Sequence, residues 1–428
     1  MIRHFSRHHI VASALTAGLG LLVAAVSAAD LPVRRTRVRP SAEGDGFGAA
    51  VALDGRTLVL GAGESGVGGE VFVLERSATD RDVWTEVARL APARVASSDG
   101  FGFAVAVSGN TLVAASVGSG TNPGAWIYQR NDGVPDSWGE VAELLPEGGR
   151  FAAWGGVAID GDLAVVGDVG ADAMTGAVYL FARDAGGPNQ WGQIAKLVAV
   201  AATASSWFGS SVAIDGDTLV AGAPFDNPLG EWQGAGAAYV FQRTGGDPAS
   251  WAESARLSAA DGEMSDLFGL SVDLDGNTIV VGAPGNRTAR RPPLTDRGGA
   301  VYVFDRDRGG AGLWGQAAQV FPTKTDPEDD FGRAVALRGH VLLVGAPVDD
   351  DMCTVSQYCE TGAAYLFHRS HGGARAWNLQ EKFYAPLGRV YSAGDRQRFG
   401  NAVDLDTTSG VVGAPGMNRA YVYRRVFP

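Results

Sequence analysis

Residues able to do chemistry are sparse in this chain. "GAGESG" at 61–66 has the glycine spacing of a dinucleotide-binding turn and follows an apolar run. Such a turn holds a pyrophosphate on the N-terminus of the helix behind it. No amphipathic helical stretch follows here, so the match reads as a strand end rich in glycine. Past residue 29 the histidines are His340, His368 and His371. His340 falls in a hairpin turn, and the other two flank Arg369 and Ser370 in what reads as a loop after a strand. Neither has a Cys or carboxylate at metal-ligand spacing. There is no phosphate-binding loop and no G-x-S-x-G turn. No catalytic residue, metal ligand or cofactor is therefore assigned. Acids that cleave a glycosidic bond need only meet in space, so an enzyme acting on polysaccharide stays open as an alternative.

The remaining side chains with chemistry are aromatic and charged, and they gather in the longest loops: "FDNPLGEWQGAG" from 225, "GNRTARRPPLTDRGG" from 285 and "VDDDMCTVSQYCETG" from 348. Phe225, Asp226, Trp232 and Tyr358 stand there with Arg287, Arg290, Arg291 and the run Asp349, Asp350, Asp351. Tyr391 lies in a later connection. Aromatic anchors beside Arg are what protein interfaces favour, and flat rings also suit sugars. These eleven residues form the candidate ligand site. Cys353 and Cys359 share the third loop. A turn between them brings their α-carbons within bridging range in an oxidising compartment. The expectation is one disulfide stiffening that loop, with two free thiols as the alternative.

The compartment is read from the first 29 residues. Arg3, His4, Arg7, His8 and His9 precede the apolar run "IVASALTAGLGLLVAAV" and the small residues "SAA". This is the layout of a secretory signal cleaved near Ala28 or Ala29. Residues 30–428 are then exported: secreted, periplasmic or held at the cell surface, with no membrane span in the mature chain. The net charge of −12 at pH 7 argues against a nucleic-acid partner, which needs clustered Lys and Arg.

The elements that position those loops announce themselves by repetition. "VAIDGDTLVAGAP" at 212–224 has counterparts at 51–63, 272–284 and 335–347. Aligned on the residue that opens each refrain, copies begin at Phe47, Phe101, Ala153, Phe208, Phe268, Phe331 and Phe399, at intervals of 52 to 68 residues. Each complete copy holds four strand-like runs. Seven sets of four short strands, with 61 Gly and no helical periodicity, predict an all-β, seven-bladed β-propeller of four-stranded antiparallel blades. "DG" at Asp54, Asp160, Asp215 and Asp275 supplies the left-handed backbone of a two-residue hairpin. The Gly after each Phe lets inner strands crowd the axis. Trp84, Trp138, Trp191, Trp251, Trp314 and Trp377 start the fourth strands and pack between blades. "VRRTRVRP" at 33–40 resembles an orphan fourth strand, and the last copy stops after its third. Joining them would complete the final blade and leave no open edge.

Phe-Gly at 208–209, Gly-Ala-Pro at 222–224 and "GAAYVF" at 236–241, with their counterparts in the other copies, resemble the FG-GAP repeat family, whose members include the propeller head of integrin α subunits. The resemblance covers roughly 33–428. The third copy departs from it, with "AWGGVAID" and "VVGDV". In the integrin-type repeat a calcium loop of spaced Asp and Asn joins the first two strands. Here that connection is as short as "DGR" or "RGH". The seventh, "DLDTTSG", offers only Asp404 and Asp406, too few for six to eight oxygen ligands, so no calcium is expected. The resemblance implies a recognition module, possibly adhesive in the family sense, binding an extracellular or envelope protein or glycan through loops of one face. A structural part of an envelope assembly is a further alternative.

Overall fold

The computed structural model describes residues 34–39, 46–63, 69–92, 99–117, 123–131, 137–152, 155–227, 234–286, 298–322, 329–352, 360–370, 376–386 and 396–424. The described residues form seven antiparallel sheets. Blade 4 is typical: Val212–Asp215, Thr218–Ala223, Ala237–Arg243 and Trp251–Leu257, each paired to the next. The innermost strands touch from blade 1 through blade 7 and back to blade 1, so the ring is closed. In blade 7 the strands Val403–Leu405, Ser409–Ala414 and Arg419–Arg424 are followed by Arg34–Val38 from the other end of the chain. The register runs from Arg34 opposite Arg424 to Val38 opposite Ala420.

The core is divided among the seams. Seven buried apolar clusters lie one between each pair of adjacent blades. Each contains the Phe at or just before the start of a first strand, packed edge-on or tilted against an aromatic residue of the same blade's third strand. Phe208 meets Tyr239 at 5.6 Å, Phe331 meets Tyr365 at 5.2 Å and Phe47 meets Phe72 at 5.0 Å. Burying one such ring contributes about 2–3 kcal/mol. In the third blade the sequence register is corrected. Phe151, two residues before Ala153, fills the place and meets Tyr179 at 5.6 Å.

The glycines of the refrain also work at the seams. Gly269 has φ +94°, and a Cβ on it would strike the backbone oxygen of Ala237 in the preceding blade. Gly222 of blade 4 packs so closely on the Gly269 carbonyl that a Cβ would overlap it. The expectation that these glycines crowd the axis is thus corrected: they let neighbouring blades touch backbone to backbone.

Side chains add a stitch at the hairpin end. The hairpin acid of one blade accepts the N–H of the next hairpin's glycine: Asp54 from Gly109 at 2.6 Å, Asp160 from Gly216 at 2.8 Å and Asp215 from Gly276 at 2.6 Å. Nearby, in blades 1 to 6 an Arg at or near the end of the third strand lies over the Trp at the start of the fourth, as Arg130 does over Trp138 at 5.1 Å. It then reaches the preceding blade's second strand, Arg130 to Thr57 at 2.6 Å and Arg306 to Thr218 at 2.7 Å. Blades 3 and 6 start that strand with Leu163 and Val341, which offer no oxygen. Arg243 turns to Asp217 in its own blade instead, and Arg424 to Asp82 of blade 1 at 2.9 Å.

Candidate functional site

An antiparallel blade puts its first and third turns on one face of the ring. The second turn and the connection to the next blade lie on the other. The first face carries the short "DG" hairpins, and the second carries the long loops of blades 4 to 6. Of the eleven candidate residues, Trp232, Arg287, Arg290, Arg291, Tyr358 and Tyr391 lie outside the described residues, as do Cys353 and Cys359.

Phe225 is half-buried and meets Trp207 edge-on, with centroids 4.6 Å apart at 75°. Trp207 comes from the connection between blades 3 and 4, so two loops of one face build this pair. Sequence reasoning missed Trp207. Its backbone is left-handed, φ +57°, at the position before the seam Phe where blades 1 and 2 carry Gly46 and Gly100. The fold imposes that conformation at this position, but a bulky residue there costs about 1 kcal/mol or more over glycine. The signal was legible as "SWFG" at 206–209 against "DGFG" at 45–48 and 99–102.

Asp226 and Asp349 are not surface ligand groups. Asp226 is fully buried and accepts bonds from Thr203 N and Oγ1, both at 3.0 Å, from Tyr239 at 2.8 Å and from Arg256 at 2.9 Å. Burial and the Asp226 charge push the Tyr239 hydroxyl well above its ordinary pKa. Asp349, also buried, takes Tyr365 at 2.7 Å and Lys382 at 2.6 Å. Burial alone would pull the Lys382 ammonium down, but Asp349 and Asp351 more than reverse it, and its pKa rises. Unpaired, either aspartate would be a buried charge costing several kcal/mol. Both instead tie a long loop to the third and fourth strands, where sequence spacing suggested exposed acids. Asp351 sits at the lip of the second cluster, 2.7 Å from Lys382, and Asp350 beside it is half-buried.

The axis holds a second polar feature, a cavity of about 440 Å³ lined by the first strands of all blades. One ring position there is Ala52, Ala106, Ala158, Ala213, Asp273, Ala336 and Asp404 in turn. Asp273 accepts Leu274 N at 2.8 Å and Leu337 N of blade 6 at 2.6 Å. Asp404 likewise accepts Leu405 N at 2.7 Å and Leu53 N of blade 1 at 2.6 Å. Burial pushes both carboxyls up to about 7, and for Asp404 the Asp273 charge adds to it. Each carboxylate spends both oxygens on backbone N–H groups, among Val, Leu and Ile side chains and with Asp54, Ser108, Asp160, Asp215 and Arg338 also lining the cavity. The axis is built to hold blades together. Asp406, the other acid of the seventh connection, caps its own turn by accepting Thr408 N and Ser409 N, both at 2.6 Å. Among the described residues no group of three His, Cys, Asp or Glu is placed to hold a metal ion. His368 lies within the third strand of blade 6, Glu360–Arg369, not in the loop after it, and its ring is 6.4 Å from His340.

A closed ring of seven four-stranded blades, with its variable loops on one face, defines the class: a seven-bladed β-propeller. The sequence pattern of the FG-GAP repeat family matches residues 84–128, 191–241, 251–304 and 314–367, and these segments are FG-GAP repeats. Each match starts at the Trp of a fourth strand and ends in the third strand of the following blade. The repeat is thus offset from the blade by one strand, the same offset with which Arg34–Val38 completes blade 7. In general terms an FG-GAP propeller is a recognition scaffold. No curated protein matches the chain.

Proposed function

We propose that this propeller is an exported recognition module that binds a protein or glycan ligand through the long-loop face, centred on blade 4. The observation that carries the reading is the Trp207–Phe225 pair. The position before the seam Phe is left-handed in blades 1, 2 and 4 to 7 and holds Gly46, Gly100, Leu267, Asp330 or Arg398 in the other blades, so the aromatic ring at Trp207 is what sets blade 4 apart. Aromatic anchors held by a rigid scaffold are where binding energy concentrates. In the sequence, Trp232 falls between the second and third strands of blade 4, and Arg287, Arg290 and Arg291 between those of blade 5. The basic-then-apolar start of the chain supports export, and adhesion is the family-level form of such recognition.

The test runs labelled protein on a glycan array and in a pull-down from envelope extract, beside a Trp207→Asn/Phe225→Ala variant. Asn tolerates the left-handed backbone, so this variant should fold. It should lose at least tenfold in signal, a change of about 1.4 kcal/mol, while Asn110→Ala on the hairpin face loses none. Signal that survives the aromatic changes and falls with Asn110→Ala would put the ligand on the other face.

A further inference from the structure

The outer rim between blades 6 and 7 departs from a rule kept at three neighbouring seams. There, a backbone N–H in the connection leaving one blade donates to a Glu or Gln on the next blade's fourth strand. Glu147 donates to Gln193 at 2.6 Å, Val200 to Glu253 at 2.9 Å and Ala260 to Gln316 at 3.1 Å. By strand register the donor position after blade 6 is Pro386, which has no N–H, and the acceptor position in blade 7 is Arg35, which has only donors. Both halves of the stitch have changed.

A cleft of about 720 Å³ opens at this place. Phe383 and Tyr423 form its floor, with centroids 4.2 Å apart, and Arg35, Glu381, Tyr384 and Pro386 form its walls. Tyr423 is 6% exposed, and among the described residues no acceptor stands at bonding geometry to its O–H, while the Arg35 guanidinium beside it acts as a donor. Blades 3 to 6 carry Phe181, Phe241, Phe304 and Phe367 at that position, so packing does not require the hydroxyl. A buried donor without an acceptor costs about 1–3 kcal/mol.

The surrounding groups say what would satisfy it. Arg35 beside it can only donate, and the Tyr423 O–H needs an acceptor. Glu381 opposes Arg35, and Asp349 and Asp351 together outweigh Lys382, so the cleft is not positive and suits a neutral acceptor over a carboxylate. Glu381 can take an N–H, and Phe383 and Pro386 offer an apolar seat. Carbonyl, N–H and a small apolar end are the parts of an acylamino group. The depth of the hydroxyl favours a terminal acyl group over a mid-chain peptide amide, which is flanked by chain on both sides. We infer that this rim cleft binds the acetamido group of an N-acetylated amino sugar, its carbonyl on Tyr423 and Arg35 and its methyl on the Phe383 floor.

The test is calorimetric titration of the full chain with a β-1,4-linked trimer of N-acetylglucosamine, a glucose trimer of the same linkage and an N-acetylated alanine dipeptide. The acetylated sugar should bind at least tenfold tighter than the glucose trimer. Tyr423→Phe and Arg35→Gln should each weaken it at least tenfold, while Tyr423→Phe leaves the melting temperature unchanged or higher. Phe225→Ala in blade 4 should leave this binding intact, which separates the cleft from the long-loop site. No binding, equal affinity for the glucose trimer, binding of the dipeptide alone, or unchanged affinity in Tyr423→Phe would each overturn the inference.

Discussion

The seam between blades 4 and 5 and the seam between blades 6 and 7 are built from the same backbone contacts and different side chains. In both, a second-strand glycine packs on the glycine after the next seam Phe, Gly222 on Gly269 and Gly345 on Gly400. In both, that Phe lies against a third-strand Tyr, Phe268 with Tyr302 and Phe399 with Tyr421. The first seam adds Asp215 to Gly276 at the hairpins, Arg306 to Thr218, and Ala260 to Gln316 at the rim. The second has none of these. Arg338 stands where the hairpin acid would be, Val341 where the Thr would be, and Arg35 and Pro386 at the rim. It has Glu360 paired with Arg398 at 3.1 Å and Arg396 at 3.4 Å instead. Backbone fit is therefore the part of a seam that cannot be traded, and polar stitches are exchangeable. Where they are missing, room for a ligand appears.

The comparison is best broken at its shared element. Gly222→Ala and Gly345→Ala should each lose about 3 kcal/mol or more in urea denaturation, because a Cβ meets backbone at both places. A mild Gly345→Ala would mean the second seam is loose throughout. The axial acids come next. With pKa values near 7 in the fold and about 4 unfolded, Asp273 and Asp404 bind more protons when folded across that window, so stability falls as pH rises through it. The denaturation midpoint should be higher at pH 5 than at pH 8, by an amount on the order of a few kcal/mol. The Asp273→Ala/Asp404→Ala variant, carrying the residue of the other five blades, should flatten the profile. An unchanged slope would remove these two acids as its source. Smaller still, Asp215→Ala should cost about 1 kcal/mol, while Arg338→Ala at the corresponding hairpin costs nothing measurable. The smallest change sharpens the contrast: Arg35→Glu with Pro386→Ala restores both halves of the rim stitch and should raise stability by about 0.5–1 kcal/mol.

The blades were legible because their signals are local. Asp-Gly turns, Gly-Ala-Pro strand ends and in-register Trp report on a few consecutive residues. What lay beyond the sequence is contact across a seam. Asp215 reads as a turn former, and its bond to Gly276 in the next blade appears only when the two hairpins lie side by side. Phe151 was hidden by a two-residue shift in its anchor. Asp226 and Asp349 look like exposed loop acids until Tyr239, Arg256, Tyr365 and Lys382 are seen to close over them. Trp207 was written in plain view, yet its meaning depended on knowing that the residue before the seam Phe is left-handed in most blades, glycine in blades 1 and 2 and Leu267, Asp330 or Arg398 in blades 5 to 7.

The strand Arg34–Val38 meets Arg419–Arg424 across a span of 390 positions, from Arg34 to Arg424. Bringing together ends that far apart costs about 5 kcal/mol of chain entropy in a flexible chain, so this pairing should form late, after the other blades have stacked. During synthesis the earliest strand must wait for the last one to emerge. At high concentration during refolding, another copy's strand competes for the same open edge. Dilute refolding should return monomer, and concentrated refolding should return dimers that exchange this strand.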